Sequence, residues 1–238
     1  MPGTDDNAKS RYQGDAGRQY HATKRAIPDA AFPWVARLRA EKLAPDIRPE
    51  DVVLEYGVGL GWNLAALSCA RRIGLDVGEF LAETLAARGI TFVLDPNSVA
   101  DESVDVVICH HMLEHALQPI DILAQISRML RPKGRLLLFV PYEKEKRYRR
   151  FRPDEPNHHL YSWNVQTLGN LVQDAGFDLC SAGTAPFGQE RFAAVLATRL
   201  KLGERGFRLI RWMANTIKHE LEVRVVGVKG FGEPATKR

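Results

Sequence analysis

The residues best placed to do chemistry stand at the end of an apolar run. Val52-Val53-Leu54 leads into Glu55 and Tyr56, then Gly57, Gly59 and Gly61 at alternate positions, then Trp62-Asn63-Leu64-Ala65-Ala66-Leu67. The run is too uniformly apolar to have a wet face and reads as a buried strand. The glycines allow a tight turn and a close approach of backbone to ligand. The segment after them reads as a helix start, whose unpaired N–H groups suit polar ligand atoms. Strand, glycine turn and helix together are a nucleotide-cofactor site at the carboxyl edge of a parallel sheet. A dinucleotide site wants G-x-G-x-x-G, and Trp62 stands where its third glycine would be, so the pyrophosphate fingerprint is not matched. A second apolar run, Ile73-Gly74-Leu75, ends in Asp76, 21 positions after Glu55. That is near the ~20-residue interval at which an acid meets a ribose in such sites.

Histidines supply the other chemistry. His110 and His111 follow the apolar run Val104 to Cys109, His115 stands one helical turn on, and His158 and His159 lie in a later loop. Histidine is the usual proton acceptor near neutral pH, and His111 and His159 are the candidate catalytic bases. Neighbours on an extended segment point in different directions, so only one of His110 and His111 is expected to face a cleft. His115 is read as a helix-start or supporting hydrogen-bond residue. No metal is expected, because the spacings lack the thiolate partners of structural zinc sites.

Glu55 two residues before a G-x-G-x-G run resembles motif I of the class I S-adenosylmethionine (SAM) methyltransferases. The segment Asp105-Val106-Val107 with Leu113-Glu114-His115 resembles their quinone-biosynthesis-like, type 11 group. Arg131-Pro132-Lys133-Gly134 is similar to the group's L-x-P-G-G turn, with Lys133 in place of its first glycine. The resemblance covers roughly residues 51 to 176. It implies a Rossmann-like α/β fold: a seven-stranded, mostly parallel sheet of order 3-2-1-4-5-7-6, the last strand antiparallel, with helices on both faces. It implies SAM as cofactor, held by Glu55, Tyr56, Gly57, Gly59, Asp76 and Val77, with Asp95 accepting from the adenine amino group. Residues just past the fourth strand, His110 among them, line the methionine end of SAM and face the acceptor. Helices before the first strand often cap the cleft in this family, and Tyr20 and His21 are then lid contacts. The competing reading is an arm that only packs on the surface.

The acceptor is less legible. Lys144 to Arg152 holds six basic residues with Tyr148 and Phe151 between them. A solvated loop, a grip on an anionic small substrate, and a contact to RNA all fit this pattern. The favoured acceptor is small and anionic, sugar- or lipid-linked. An RNA methyltransferase and a SAM-binding module without turnover are the alternatives. The formal net charge of +4 argues against a large nucleic-acid footprint. The segment Gly206 to Lys218 is amphipathic and basic. It suits either peripheral membrane contact or, by preference, packing of its apolar side on the domain.

These residues need elements to hold them. An N-terminal arm and capping helix (1–45) precede the methyltransferase domain (46–230), which carries a helical insert at about 203–219; a C-terminal tail (231–238) follows. Residues 1 to about 25 are expected to be flexible, and Phe32 to Lys42 helical. A helix is expected from the glycine turn to about Arg71, others at Phe80 to Arg88, from Pro119 and at Trp163 to Ala175. Strands are expected at Ile90 to Leu94, Arg135 to Val140, Phe177 to Ala182 and Leu221 to Val228. The 238 residues, 45% hydrophobic, suit one globular domain. No apolar run reaches the ~20 residues of a membrane span, and no secretory signal is evident. Cys69, Cys109 and Cys180 lack C-x-x-C spacing, which fits a cytoplasmic protein.

Overall fold

A computed structural model describes residues 10–24, 26–143, 150–152, 155 and 157–230. Seven strands form one sheet of order β3-β2-β1-β4-β5-β7-β6: β1 (Val52–Tyr56), β2 (Arg71–Leu75), β3 (Thr91–Val93), β4 (Val104–His110), β5 (Leu130–Pro141), β6 (Phe177–Phe187) and β7 (Glu220–Lys229). β1, β2, β3, β4 and β5 pair in parallel, and β7 lies antiparallel to both β5 and β6. This is the order and strand sense expected.

The central strands are buried on both faces, and their alternate residues divide between two cores. Leu54, Val107, Cys109, Leu136 and Leu138 join one core, with Leu123 and Ile126 of α4 (Pro119–Met129) and Leu168 and Val172 of α5 (Val165–Asp174). Val53, Val106, Ile108, Leu137 and Phe139 join the other. There they meet Leu43 of α2 (Phe32–Leu43), Leu64, Leu67 and Leu85 of α3 (Ala82–Ala86). A third, smaller core packs Ala31 and Val35 against Ala193, Ala194 and Ala197 of α6 (Glu190–Arg199) and Phe207 of α7 (Gly203–Ile217). The helix ahead of the first strand is thus fastened to the two helices between β6 and β7.

Several local expectations need correction. The expected helix after the glycine turn is a run of turns over residues 62–66. Only residues 62–70 connect that turn to Arg71 at the start of β2. Nine residues of helix rise about 14 Å, less than the ~17 Å that a five-residue strand covers, so the crossover must be more extended. Ala65 N–H donates to Gly61 O and Leu67 N–H to Leu64 O, and the helix goes no further. Residues 14–24, expected in a flexible arm, form α1 (Gly14–Lys24). The Arg131–Gly134 turn lies within β5 as an irregularity: Leu130 pairs with Val104 and Arg135 with Val106, and Lys133 takes φ +65°. The sequence reading had no helix at α6. On α7, Phe207 is buried and Ile210 partly so, while Leu209, Trp212, Met213 and Ile217 are exposed, so packing of its apolar side on the domain is incomplete.

Candidate active site

The carboxyl ends of β1, β2 and β4 open into one cavity of about 350 Å³. Its wall includes Glu55, Tyr56, Gly57 and Gly59 after β1, Asp76 and Val77 after β2, and His110 and His111 at the end of β4. Two glycines make the turn possible. Gly57 sits at φ +80°, where a Cβ would lie 2.5 Å from Met112 Cγ, and Gly61 at φ +74°, where it would lie 2.7 Å from Ile90 Cδ1. Gly57 and Val58 both donate to Leu75 O, folding the turn across the end of β2. Asp76 completes that fold: one carboxylate oxygen accepts from Gly59 N–H at 2.8 Å and the other from Gly78 N–H at 3.1 Å.

Glu55 is 1% exposed and accepts a hydrogen bond from Asn63 Nδ2. Asn63 Oδ1 in turn accepts from Arg39 Nη1 at 3.1 Å, and Arg39 Nη2 is 2.5 Å from Glu190 Oε2. Trp62 also lines the cavity, with its indole nitrogen buried and without a hydrogen-bond acceptor among the described residues. Tyr56 donates its hydroxyl to Gln125 Oε1 at 2.8 Å, and burial pushes its phenol up.

The β4 end departs from strand alternation. His111 takes φ +53°, which breaks the alternation and brings its ring alongside that of His110, with centroids 4.4 Å apart. Both rings therefore line the cavity, where only one was expected to. Lys42, three residues after Arg39 and so on the same face of α2, places Nζ 3.0 Å from His110 Nε2 and pairs with the buried carboxylate of Glu222 on β7. His111 Nε2 lies 3.2 Å from the other oxygen of Glu222. Burial, reinforced by Lys42, His111 and Arg39, holds the His110 pKa well below the ordinary histidine value. Burial also lowers Lys42 to about 8, Glu222 working against the shift.

Two anticipated residues lie off the cavity wall. Asp95 caps the turn Pro96–Ser98 through Asn97 N–H, while its neighbours Leu94 and Pro96 line the cavity. His159 stands behind His115, ring centroids 4.9 Å apart, with Nδ1 2.7 Å from Glu143 Oε1; of the two only His115 lines the cavity. The basic run's residues 144–149 lie outside the described residues; Arg150, Phe151 and Arg152 are exposed. The outer wall comes from the N-terminus, where Tyr12, Tyr20 and His21 line the cavity and Tyr12 Oη lies 3.0 Å from His115 Nδ1.

Arg39, Asn63, Trp62, Lys42, Glu190 and Glu222 were not singled out from sequence. The one available signal was Arg39 and Lys42, two cations spaced three apart on the amphipathic segment read as a capping helix.

The donors and acceptors present fit a zwitterionic adenosyl ligand. Arg39 suits a carboxylate, Glu55 an ammonium and Asp76 a ribose, and Val77, Leu94 and Pro96 offer apolar walls to a base.

Comparison with known proteins agrees. A family model described as a methyltransferase domain matches residues 25–182, more than half of the chain. A curated relative, the "Probable S-adenosylmethionine-dependent methyltransferase" of Mycobacterium tuberculosis, is 29% identical over 165 residues, 65% of this chain and 60% of the relative. The chain thus spans less than two thirds of that relative's length. Among solved structures, a methyltransferase in complex with a Haloferax volcanii methyltransferase activator aligns with TM-score 0.58 and 19% identity, over 87% of this chain and 100% of the other. A [4+2]-cyclase aligns with TM-score 0.57 and 19% identity, over 87% of this chain and 84% of the other. At such identities these two show the fold alone. The matched domain, the sheet order and the composition of the cavity wall together establish that this chain belongs to the methyltransferase-domain family of the class I SAM-dependent superfamily.

Proposed function

We propose that this protein transfers a methyl group from SAM to a small acceptor, anionic and sugar- or lipid-linked. The observation that carries the reading is the cavity whose wall brings together Glu55, Gly57, Asp76, His110 and Arg39. In this reading Asp76 accepts from the ribose hydroxyls, Glu55 from the ammonium, and Arg39 donates to the carboxylate. Val77, Leu94 and Pro96 flank the adenine; Asp95, held by its own turn, reaches its amino group only after a side-chain rotation. Gly57, Gly59 and Tyr56 supply the floor.

SAM provides the electrophilic methyl carbon on its sulfonium. The chain supplies approach geometry and a cavity shielded from water. His111 is the nearer of the two proposed bases, because it lines the cavity and its Nε2 is backed by Glu222. His159 would act through His115 or after a shift of the loop that carries it. The exposed apolar residues of α7, interleaved with Arg205 and Arg211, support a lipid-linked acceptor.

The test is incubation with methyl-labelled SAM and fractionated cell extract, with mass spectrometry of whatever gains the label. Label in a small anionic or lipid-linked product is expected. Tight SAM binding with no transfer to any fraction would favour a binding module instead, and label in RNA would move the acceptor class.

A further inference from the structure

Helix α7 is apolar on two sides. On one, Phe207 is buried in the third core with Ile210 packed against it. On the other, Leu209, Trp212, Met213 and Ile217 stand in water, Trp212 65% exposed and Ile217 86%. Leu209, Met213 and Ile217 recur every four residues and so form one ridge along the helix. Leu200 and Leu202, in the link from α6, and Phe192 of α6 are exposed as well. A surface helix needs a single apolar stripe to pack on its own domain. A second one, facing outward, marks a surface that meets something else.

The charge around this face is one-sided. Arg191 and Arg199 of α6, Lys201 of the link and Arg205 of α7 are exposed, and none of the four makes an ion pair among the described residues. The acids of the same elements are already matched: Glu190 with Arg39, Glu204 with Arg37 and Arg208, and Glu220 with Lys218. A groove is lined by Arg191, Phe192, Val195, Arg199, Lys218 and Glu220. Because Lys218 and Glu220 pair with each other, the two guanidinium groups remain to face an anion, beside apolar Phe192 and Val195. A phosphate with a hydrocarbon chain attached satisfies both kinds of group.

We propose that α6 and α7 dock this protein on an anionic lipid bilayer. The α7 ridge enters the boundary between headgroups and acyl chains, and Arg191, Arg199, Lys201 and Arg205 meet lipid phosphates. Trp212 suits that boundary, since its ring is apolar and its N–H polar. A two-fold contact between copies of this chain would bring the same uncompensated cations together. A nucleic acid would neutralise the cations but leave the ridge in water.

The face starts at the acceptor end of the cavity. Phe187, at the end of β6, has its ring centroid 4.3 Å from that of His111, and Arg191 follows in the first turn of α6. The inference thus deepens the proposed methyl transfer, on which its meaning for the acceptor rests: it narrows that acceptor to a lipid taken from the bilayer.

Cosedimentation of the full chain with vesicles tests it. One set is phosphatidylcholine alone and the other phosphatidylcholine mixed with phosphatidylglycerol. Binding to the anionic set is expected to be at least tenfold tighter and to weaken as salt rises. Trp212→Ser/Met213→Ser removes the ridge and Arg191→Gln/Arg199→Gln/Arg205→Gln removes the charge; each should weaken binding at least tenfold. All five positions are exposed, so circular dichroism should show both variants folded. Absence of binding to anionic vesicles overturns the proposal. So does equal binding to the neutral set, or undiminished binding in either folded variant. A chain that ignores vesicles but forms a dimer lost in Trp212→Ser/Met213→Ser, seen by sedimentation velocity, would assign the ridge to a second copy instead. SAM affinity is measured separately by calorimetry and should not change in either variant. A chain that binds SAM but not vesicles loses only the membrane face; one that binds vesicles but not SAM keeps that face and loses the methyltransferase reading.

Discussion

The imidazoles of His110 and His111 lie face to face, centroids 4.4 Å apart and planes inclined by 16°. Arg39 and Lys42 donate toward His110 from α2, and Glu222 faces both rings from β7. A proton on His110 would be buried among these cations, which keeps that ring neutral.

The first prediction follows from that neutrality. In the unfolded chain His110 takes a proton near pH 6.5; in the folded protein burial and the neighbouring positive charges keep it off. The unfolded state therefore binds more protons below about pH 6.5, and stability falls as pH falls, by up to about 1.4 kcal/mol per unit from this group. Urea unfolding at pH 7.5, 6.5 and 5.5 should show the decline, and His110→Asn should flatten it. An unchanged slope in that variant would remove His110 as the cause.

Glu222 is fully buried and is the counter-charge for Lys42. Glu222→Gln leaves an ammonium largely buried without its partner, and the expected cost is about 3–5 kcal/mol. Lys42→Met should cost a comparable amount by stranding the carboxylate. The double variant Lys42→Met/Glu222→Leu should recover most of the loss. The hydrogen bond from His111 and the charge of Lys42 outweigh the effect of burial and hold the Glu222 carboxyl well below the ordinary range. Its contribution is thus present above about pH 4.5 and lost as pH falls below that. Additive single-variant costs in a denaturant cycle would show that the pair is not coupled.

The N-terminal segment closes the cavity from outside. Tyr12 and Tyr20 meet edge to face at 5.2 Å, and His21 packs on Phe80 at 5.6 Å. Tyr12, Tyr20 and His21 belong to neither core of the sheet, while Phe80 packs against the second. Removing residues 1–24 should leave the melting temperature within about 4 °C, since under ~1 kcal/mol of packing is lost. The same truncation should speed SAM release at least tenfold, because the outer wall is gone. Stopped-flow release at an unchanged rate would make α1 a surface ornament rather than a lid.

Much of the fold was legible because hydrophobic periodicity and glycine punctuation are local signals. The run Val52–Tyr56, the glycines after it and Asp76 placed the first two parallel strands and the turn between them. Pro119 opened α4 where the amphipathic pattern began, and Gly176, at φ +86°, closed the turn before β6. The missing crossover helix was harder to see, because propensity at Leu64-Ala65-Ala66-Leu67 favours helix and only the length of the connection forbids it. At the site, acids and glycines next to strands announced themselves. Arg39, Lys42, Glu190 and Glu222 did not, because their meeting depends on contacts between segments far apart in the chain. His111 misled the reading because a left-handed φ on a non-glycine residue carries no sequence mark.

The central claim is that the acids ending the first two strands hold an adenosyl-sulfonium ligand, and calorimetric titration with SAM tests it most directly. The wild-type chain should bind one equivalent. Asp76→Asn, which keeps the shape of a side chain that also accepts from Gly59 and Gly78, should weaken binding by roughly 1–3 kcal/mol through loss of a charged acceptor. Wild-type protein that binds no SAM, or a folded Asp76→Asn variant that binds it with undiminished affinity, would contradict the account.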